Sequence, residues 1–311
     1  MNLPVFFNAK ESLNLYGLTN EFFFLKNLYI NKKLPSVLMM SGKKGIGKFT
    51  LINHLMFYIF DRNNYNDKNC ELNMNSVFHK QFINNIFSNI IILSGANFKN
   101  SKVEDIRKLK TRIFQSSILD KPRFIIFDDV ELFNNNSLNA LLKIIEEPTA
   151  KNFFILINNK SKPLADTIKS RCLEIKIILN EKQRQEIINS LIKKFDIDVI
   201  INEKNSQLTP GQFVKFNYIF DINSISTEGD FLENLANLLN LYKKNKDIIF
   251  IDMVLFLTNN YFNNFNNKNL IKNEKMVEYK RFVFENINKF FLYNINQNAL
   301  LSSISNKINN E

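Results

Sequence analysis

With two cysteines, two histidines, seven glycines, six prolines and no tryptophan in 311 residues, the chain is short of most residues that specialise in metal binding, cross-linking or tight turns. Cys70 and Cys172 stand about a hundred positions apart, which excludes a disulfide framework and a four-cysteine zinc module. His54 and His79 do not make up the missing ligands, so no zinc is expected. Met1 to Lys10 lacks a basic stretch followed by a long apolar core, which excludes a signal peptide. No long hydrophobic run occurs either. The most apolar later stretch, Ile248 to Leu257, is broken by Asp252 and falls far short of the roughly 20 residues of a membrane span. A cytoplasmic protein without membrane attachment is expected.

What is abundant is apolar and basic. Hydrophobic residues make up 45% and charged ones 23%, a globular balance, and the length suits two or three packed units. Lysine and arginine outnumber the acids 41 to 30, for a formal charge of +11. That excess fits a polyanionic partner such as DNA. It fits equally a genome biased toward A and T codons, because Lys, Asn, Ile and Phe are plentiful throughout.

Between Leu34 and Ile178, β-rich runs alternate with helical patterns, as in a parallel α/β sheet with crossover helices. The runs are Val37 to Met40, Asn89 to Leu93, Arg123 to Phe127, Phe153 to Ile157 and Leu173 to Ile178. Helices are predicted over Lys48 to Phe60, Val103 to Gln115 and Leu138 to Glu147, the last stopped by Pro148. Asp61 to Ser76, rich in Asn and Asp without a period, reads as an exposed loop or insertion. From Glu181 helical periods dominate, with Ile187, Ile188, Leu191 and Ile192 on one face. Thr209-Pro210-Gly211 punctuates that part, and Phe282, Phe284, Ile287, Phe290 and Phe291 continue helical spacing as core. The expected domains are an α/β nucleotide-binding domain (1–179), a small helical lid (180–228) and a C-terminal all-helical domain (229–311).

Chemistry concentrates in two places. Ser41-Gly42-Lys43-Lys44-Gly45-Ile46-Gly47-Lys48-Phe49-Thr50 follows a strand and opens a helix, and it holds three of the seven glycines. Such a loop turns backbone N–H groups toward phosphate oxygens, with Lys48 against the β- and γ-phosphates. A Ser or Thr normally follows the lysine to ligate Mg²⁺, and here Phe49 stands there. Thr50 is one residue on, about 100° around the helix, and does not substitute directly. The second place is Phe124-Ile125-Ile126-Phe127-Asp128-Asp129, an apolar strand ending in acids. Asp128 is the candidate for holding Mg²⁺ through water, while Asp129 stands where a longer Glu would polarise the attacking water. A turn-capping role for both acids is the alternative.

Asn139-Ala140-Leu141-Leu142-Lys143-Ile144-Ile145-Glu146-Glu147-Pro148 and Ser170-Arg171-Cys172, with Asn158 or Asn159 at the tip of the strand between them, resemble the motif set of bacterial clamp-loader subunits of the AAA+ family. The resemblance covers about Leu15 to Glu181, the lid loosely, and the remainder only in helical character.

The resemblance implies an AAA+ P-loop domain with a parallel sheet, a helical lid and an all-helical collar domain. It implies nucleotide contacts from Gly42, Gly45, Gly47, Lys48, Phe49, Thr50, Asp128, Asp129 and Asn158, with ATP or ADP and Mg as cofactors. Arg171 would act in trans as an arginine finger on ATP held by a neighbour. Implied partners are gamma/tau-like and delta-like loader subunits, the sliding clamp, and primer-template DNA through its backbone. Three departures separate the chain from the motor subunits: Phe49, the lack of a zinc module, and Gln212 where a sensor 2 arginine is usual. Its own ATPase is therefore expected to be weak or absent, with a self-sufficient motor of the gamma/tau type as the alternative.

Overall fold

Seven strands lie among the described residues of the computed structural model, which are 3–95, 121–148, 151–202, 206–268 and 273–309. They are β1 (Val37–Ser41), β2 (Tyr65–Asn66), β3 (Glu71–Leu72), β4 (Ile90–Ser94), β5 (Arg123–Asp128), β6 (Asn152–Asn158) and β7 (Leu173–Lys176). The described helices are α1 (Thr19–Ile30), α2 (Lys48–Phe60), α3 (Val77–Ile83), α4 (Asn135–Ile145), α5 (Asp166–Lys169) and α6 (Glu181–Phe195). They continue with α7 (Pro210–Ile222), α8 (Phe231–Asn245), α9 (Ile248–Lys268), α10 (Asn273–Tyr293) and α11 (Gln297–Asn309). The helix expected over Val103 to Gln115 lies outside the described residues.

Five strands form one parallel sheet in the order β4-β5-β6-β1-β7. The inner strands β1, β5 and β6 are near-continuously apolar because both of their faces are buried, whereas the edge strand β7, Leu-Glu-Ile-Lys, is largely exposed. Leu38, Met40, Phe124, Ile126, Ile155 and Ile157 face one core, shared with α1, α2 and α3. Val37, Met39, Ile125, Phe127, Phe154 and Leu156 face the other, shared with α4 and α5. The alternation is the two-residue period of a strand.

Asp61 to Ser76 differs from the exposed loop expected. It makes a 3-10 turn and the antiparallel β2–β3 pair, and Tyr65, Cys70 and Leu72 are buried in the core that covers α2. Three apolar residues among polar ones are too few to set a period, yet enough to pin a hairpin once α2 offers them a surface.

The described chain divides into two compact units. One runs over Asn2–Leu191 with Leu208–Gln212 and contains the sheet; the other runs over Ile192–Gln207 with Phe213–Glu311 and is helical. In the helical unit Phe213, Phe216, Phe220, Phe250, Phe262, Leu235, Leu238 and Leu239 are buried, together with Ile287 and Phe290. The Asp230 side chain caps α8 by accepting from Glu233 N at 2.7 Å. Fully buried Asn217 accepts from Ile200 N (2.7 Å) and Ile201 N (2.8 Å), which fixes the strand-less segment ahead of α7. No described helix is long and apolar enough to cross a membrane.

Candidate nucleotide site and the motifs around it

The loop of residues 42–47 leaves the C-terminal end of β1 and runs into α2. Gly45 (φ 84°) and Gly47 (φ 97°) both take left-handed backbone, where a Cβ would be strained, and Gly47 is the N-cap of α2. Gly42 N donates to Asn158 O at 3.1 Å, so the loop is tied to the tip of β6. Lys48 is buried, and its Nζ donates to the carbonyls of Gly42 (2.8 Å) and Lys43 (2.7 Å). Burial lowers its pKa to about 8, against the opposing pull of Asp128 and, more weakly, of Glu131 and Asp129. The ammonium thus sits at the centre of the loop, where an incoming phosphate would compete with those two carbonyls.

Phe49 packs against the apolar core beside α2, so its position supplies no oxygen toward the loop. Thr50, partly buried, follows it on the helix. Across the sheet, Asp128 ends β5, and its Oδ1 accepts from Asp129 N at 3.0 Å. Burial first, then repulsion from Asp129, raises the Asp128 pKa to about 6, with the Asp129 N–H bond and Lys48 pulling the other way. Asp129 is buried with φ 50°, and its Oδ1 accepts from Asn159 Nδ2 at 2.7 Å. The Asn158 side-chain oxygen accepts from Lys160 N at 2.9 Å, closing a local turn. Of the two asparagines at that tip, Asn159 is the one joined to the acidic strand.

The raised Asp128 pKa has a stability consequence. An unfolded Asp titrates near about 3.9, so above that pH the unfolded chain has lost a proton that the folded chain keeps up to about 6. The unfavourable ionised form is fully populated only above that value, and stability falls as pH rises through it. Asp128→Asn is expected to stabilise the sheet unit by on the order of 1 kcal/mol at pH 8 and to change it little near pH 4. Denaturant titrations at the two pH values check this; equal effects at both would remove the explanation.

Two participants were not legible in the sequence. Buried Glu131 accepts from Asn159 N at 3.1 Å, Ser161 N at 3.2 Å and Ser161 Oγ at 2.7 Å, clamping the β6 tip to the turn after β5. Its only sequence signal is an acid just beyond the Asp pair. Thr209 is the other. Its hydroxyl donates to Lys44 O at 2.7 Å, and Gly211 N donates to Gly45 O at 2.9 Å. A Cβ on Gly45 would meet Thr209 Oγ1 at 2.5 Å. Gln212 does not reach for phosphate; its Oε1 accepts from Thr209 N at 3.3 Å, half of a capping box at the start of α7.

Arg171 stands apart from all of these. β7 runs parallel to β1 with Leu173 opposite Leu38, so Arg171 lies at the N-terminal edge of the sheet, whereas the loop leaves the C-terminal edge. Leu38 to Gly42 alone is about 13 Å of strand. Arg171 Nη1 donates to Thr167 O at 2.8 Å, and Nη2 pairs with Glu146 Oε1 at 2.7 Å. Neighbouring Cys172 donates its thiol to Ile168 O at 3.1 Å, and burial raises its pKa to about 11. It is an inert thiol at pH 7.

A parallel sheet with the phosphate-loop strand between β6 and β7, and acids at the end of β5, defines a P-loop protein of AAA+ architecture. A family model described as DNA polymerase III, delta subunit, matches residues 19–181, and the chain belongs to that family. It is 29% identical over 161 residues to DNA polymerase III subunit gamma of Buchnera aphidicola subsp. Acyrthosiphon pisum, covering 51% of this chain and 43% of that protein. To subunit delta' of the same organism it is 27% identical over 213 residues, covering 65% and 62%. The chain therefore matches less than two thirds of either relative's length. Among solved structures, a DNA polymerase III gamma subunit-related protein of Thermotoga maritima aligns with TM-score 0.44 and 14% identity, over 90% of this chain and 96% of that one.

Proposed function

We propose that the chain is the delta-prime-type subunit of a clamp loader, a member that lends an arginine to a neighbour's ATP rather than turning over its own. The observation that carries this is the position of Arg171. It is exposed at the sheet edge opposite the chain's own phosphate loop, so a phosphate it reaches belongs to another subunit. A guanidinium supplies fixed positive charge and a planar fork of donors to a transferring phosphoryl group.

The chain's own loop fits phosphates better than it fits hydrolysis. Glycine backbone, the α2 N-terminus and Lys48 offer donors to a nucleotide's phosphates, and magnesium would screen their charge, with Asp128 as the acid facing it. Against this, Phe49 is a partly buried apolar side chain packed against the core, Gln212 is engaged at the α7 cap, and Asp129 is held by Asn159. Bound ATP or ADP would therefore be structural. In this reading residues 1–179 face the motor subunit, 180–228 form the lid and 229–311 join the collar. Gamma/tau-like and delta-like subunits are the immediate partners, the assembly opens the sliding clamp, and the basic surface meets primer-template DNA through its backbone, without base specificity.

Co-purification with gamma- and delta-type subunits, followed by ATPase assays, tests the proposal. The purified chain should hydrolyse ATP at background rate, and Lys48→Ala should change the assembled loader's rate by less than about twofold. Brisk turnover by the isolated chain, abolished by Lys48→Ala, would instead identify a self-sufficient motor.

A further inference from the structure

The Glu-Glu-Pro and Ser-Arg-Cys segments lie about 25 residues apart in sequence, and the phosphate chemistry above uses only the second. In space they meet. Glu146, at the C-cap of α4, places Oε1 2.7 Å from Arg171 Nη2. From the other side, Thr167 O, in the short helix α5, accepts from Nη1 at 2.8 Å. We infer that Glu146 is a positioning residue for Arg171, holding the guanidinium in the orientation from which it meets a neighbouring subunit's phosphate.

An arginine carries about 2 kcal/mol of rotamer entropy, and an exposed one explores many orientations unless something fixes it. Here two acceptors from two separate elements hold the two terminal nitrogens, which sets the plane of the fork as well as its position. Both elements are anchored in the same core: Ile144 and Ile145 of α4 and Ile168 of α5 are buried together. Glu146 follows directly on that anchored pair, and Pro148 stops the helix just beyond, so the carboxylate is presented from a fixed helix end. Each terminal nitrogen carries two N–H groups, and the guanidinium has five in all, so the two bonds leave donors for phosphate. Glu146 is itself half-exposed, which keeps the ion pair modest and lets the arginine engage a phosphate without first breaking a buried contact.

The inference rests on the reading of Arg171 as a finger acting in trans, and a double-mutant cycle in the assembled loader separates the two. ATP turnover of the complete complex is measured with Glu146→Gln, Arg171→Ala and the double variant, alongside KM for ATP and co-purification of the subunits. Glu146→Gln is expected to lower kcat by about two- to fivefold with KM and assembly unchanged. In the Arg171→Ala background it should have no further effect, because the group it positions is gone. Glu146→Asp, which keeps the charge, should recover part of the loss. A multiplicative loss in the double variant, an unchanged rate, or a rise in rate with Glu146→Gln would each overturn the positioning role. A normal rate in Arg171→Ala alone would instead sink the finger reading on which it stands.

Discussion

Arg171→Ala is expected to slow ATP hydrolysis at the neighbouring subunit's site by about 10³-fold, while leaving the assembled complex intact. The size follows from what a guanidinium does at a closing interface. It would meet charge that develops on the phosphoryl oxygens, where a fixed cation is worth most. Structural cost should be small. The side chain is 37% exposed, and its two bonds go to one carbonyl and one half-exposed carboxylate. Single-turnover hydrolysis in the reconstituted loader, stimulated by primed DNA, reads this directly as slowing of the phase that belongs to one site. Arg171→Lys should recover little, because an ammonium cannot present two parallel donors. A rate within about threefold of the parent would show that Arg171 does not touch the transferring phosphate.

Glu131→Ala is expected to destabilise the sheet unit by about 3 kcal/mol. The carboxylate is 5% exposed and is the shared acceptor for Asn159 N, Ser161 N and Ser161 Oγ. Removing it leaves two backbone donors without that acceptor and opens a hole between the turn after β5 and the tip of β6. Both are costly, and the loss should appear as a lower denaturant midpoint with an unchanged slope. Because Asn159 also holds Asp129, the substitution should loosen the acidic strand end as well. Glu131→Gln, similar in shape with one remaining acceptor oxygen, should recover about half of the loss. A shift below about 0.5 kcal/mol for Glu131→Ala would mean that water replaces the carboxylate at no cost.

Both predictions concern residues whose importance depends on where other segments of the chain arrive. The inner strands β1, β5 and β6 were readable because they are buried on both faces and therefore near-continuously apolar; β4 and β7 at the edges are more exposed, and β7 carries Glu174 and Lys176. α2 was readable to the residue, since a glycine turn starts it and Asp61 ends its apolar run. The glycine turn from β1 into α2 and the acid that ends β5 were readable for a related reason: both are set by residues adjacent in sequence. Tyr65, Cys70 and Leu72 were not, because a two-residue strand pair carries no period and takes its order from the surface of α2. Glu131 was silent, and Thr209 and Glu146, though they stand in segments the sequence marks, gave no sign of their contacts, because each partner lies elsewhere in the chain.

The sequence by itself determined that this is an α/β protein of the clamp-loader family whose glycine-rich loop carries Phe49 after Lys48, because apolar runs, glycine placement and the residue after Lys48 are local properties. Only the tertiary structure decided that Phe49, partly buried, packs against the core, that Gln212 serves a helix cap, and that Arg171 stands at the far edge of the sheet from its own loop, fastened to Glu146. Those facts turn on strand order and parallel register, which come from the packing of the whole sheet and are written in no single segment.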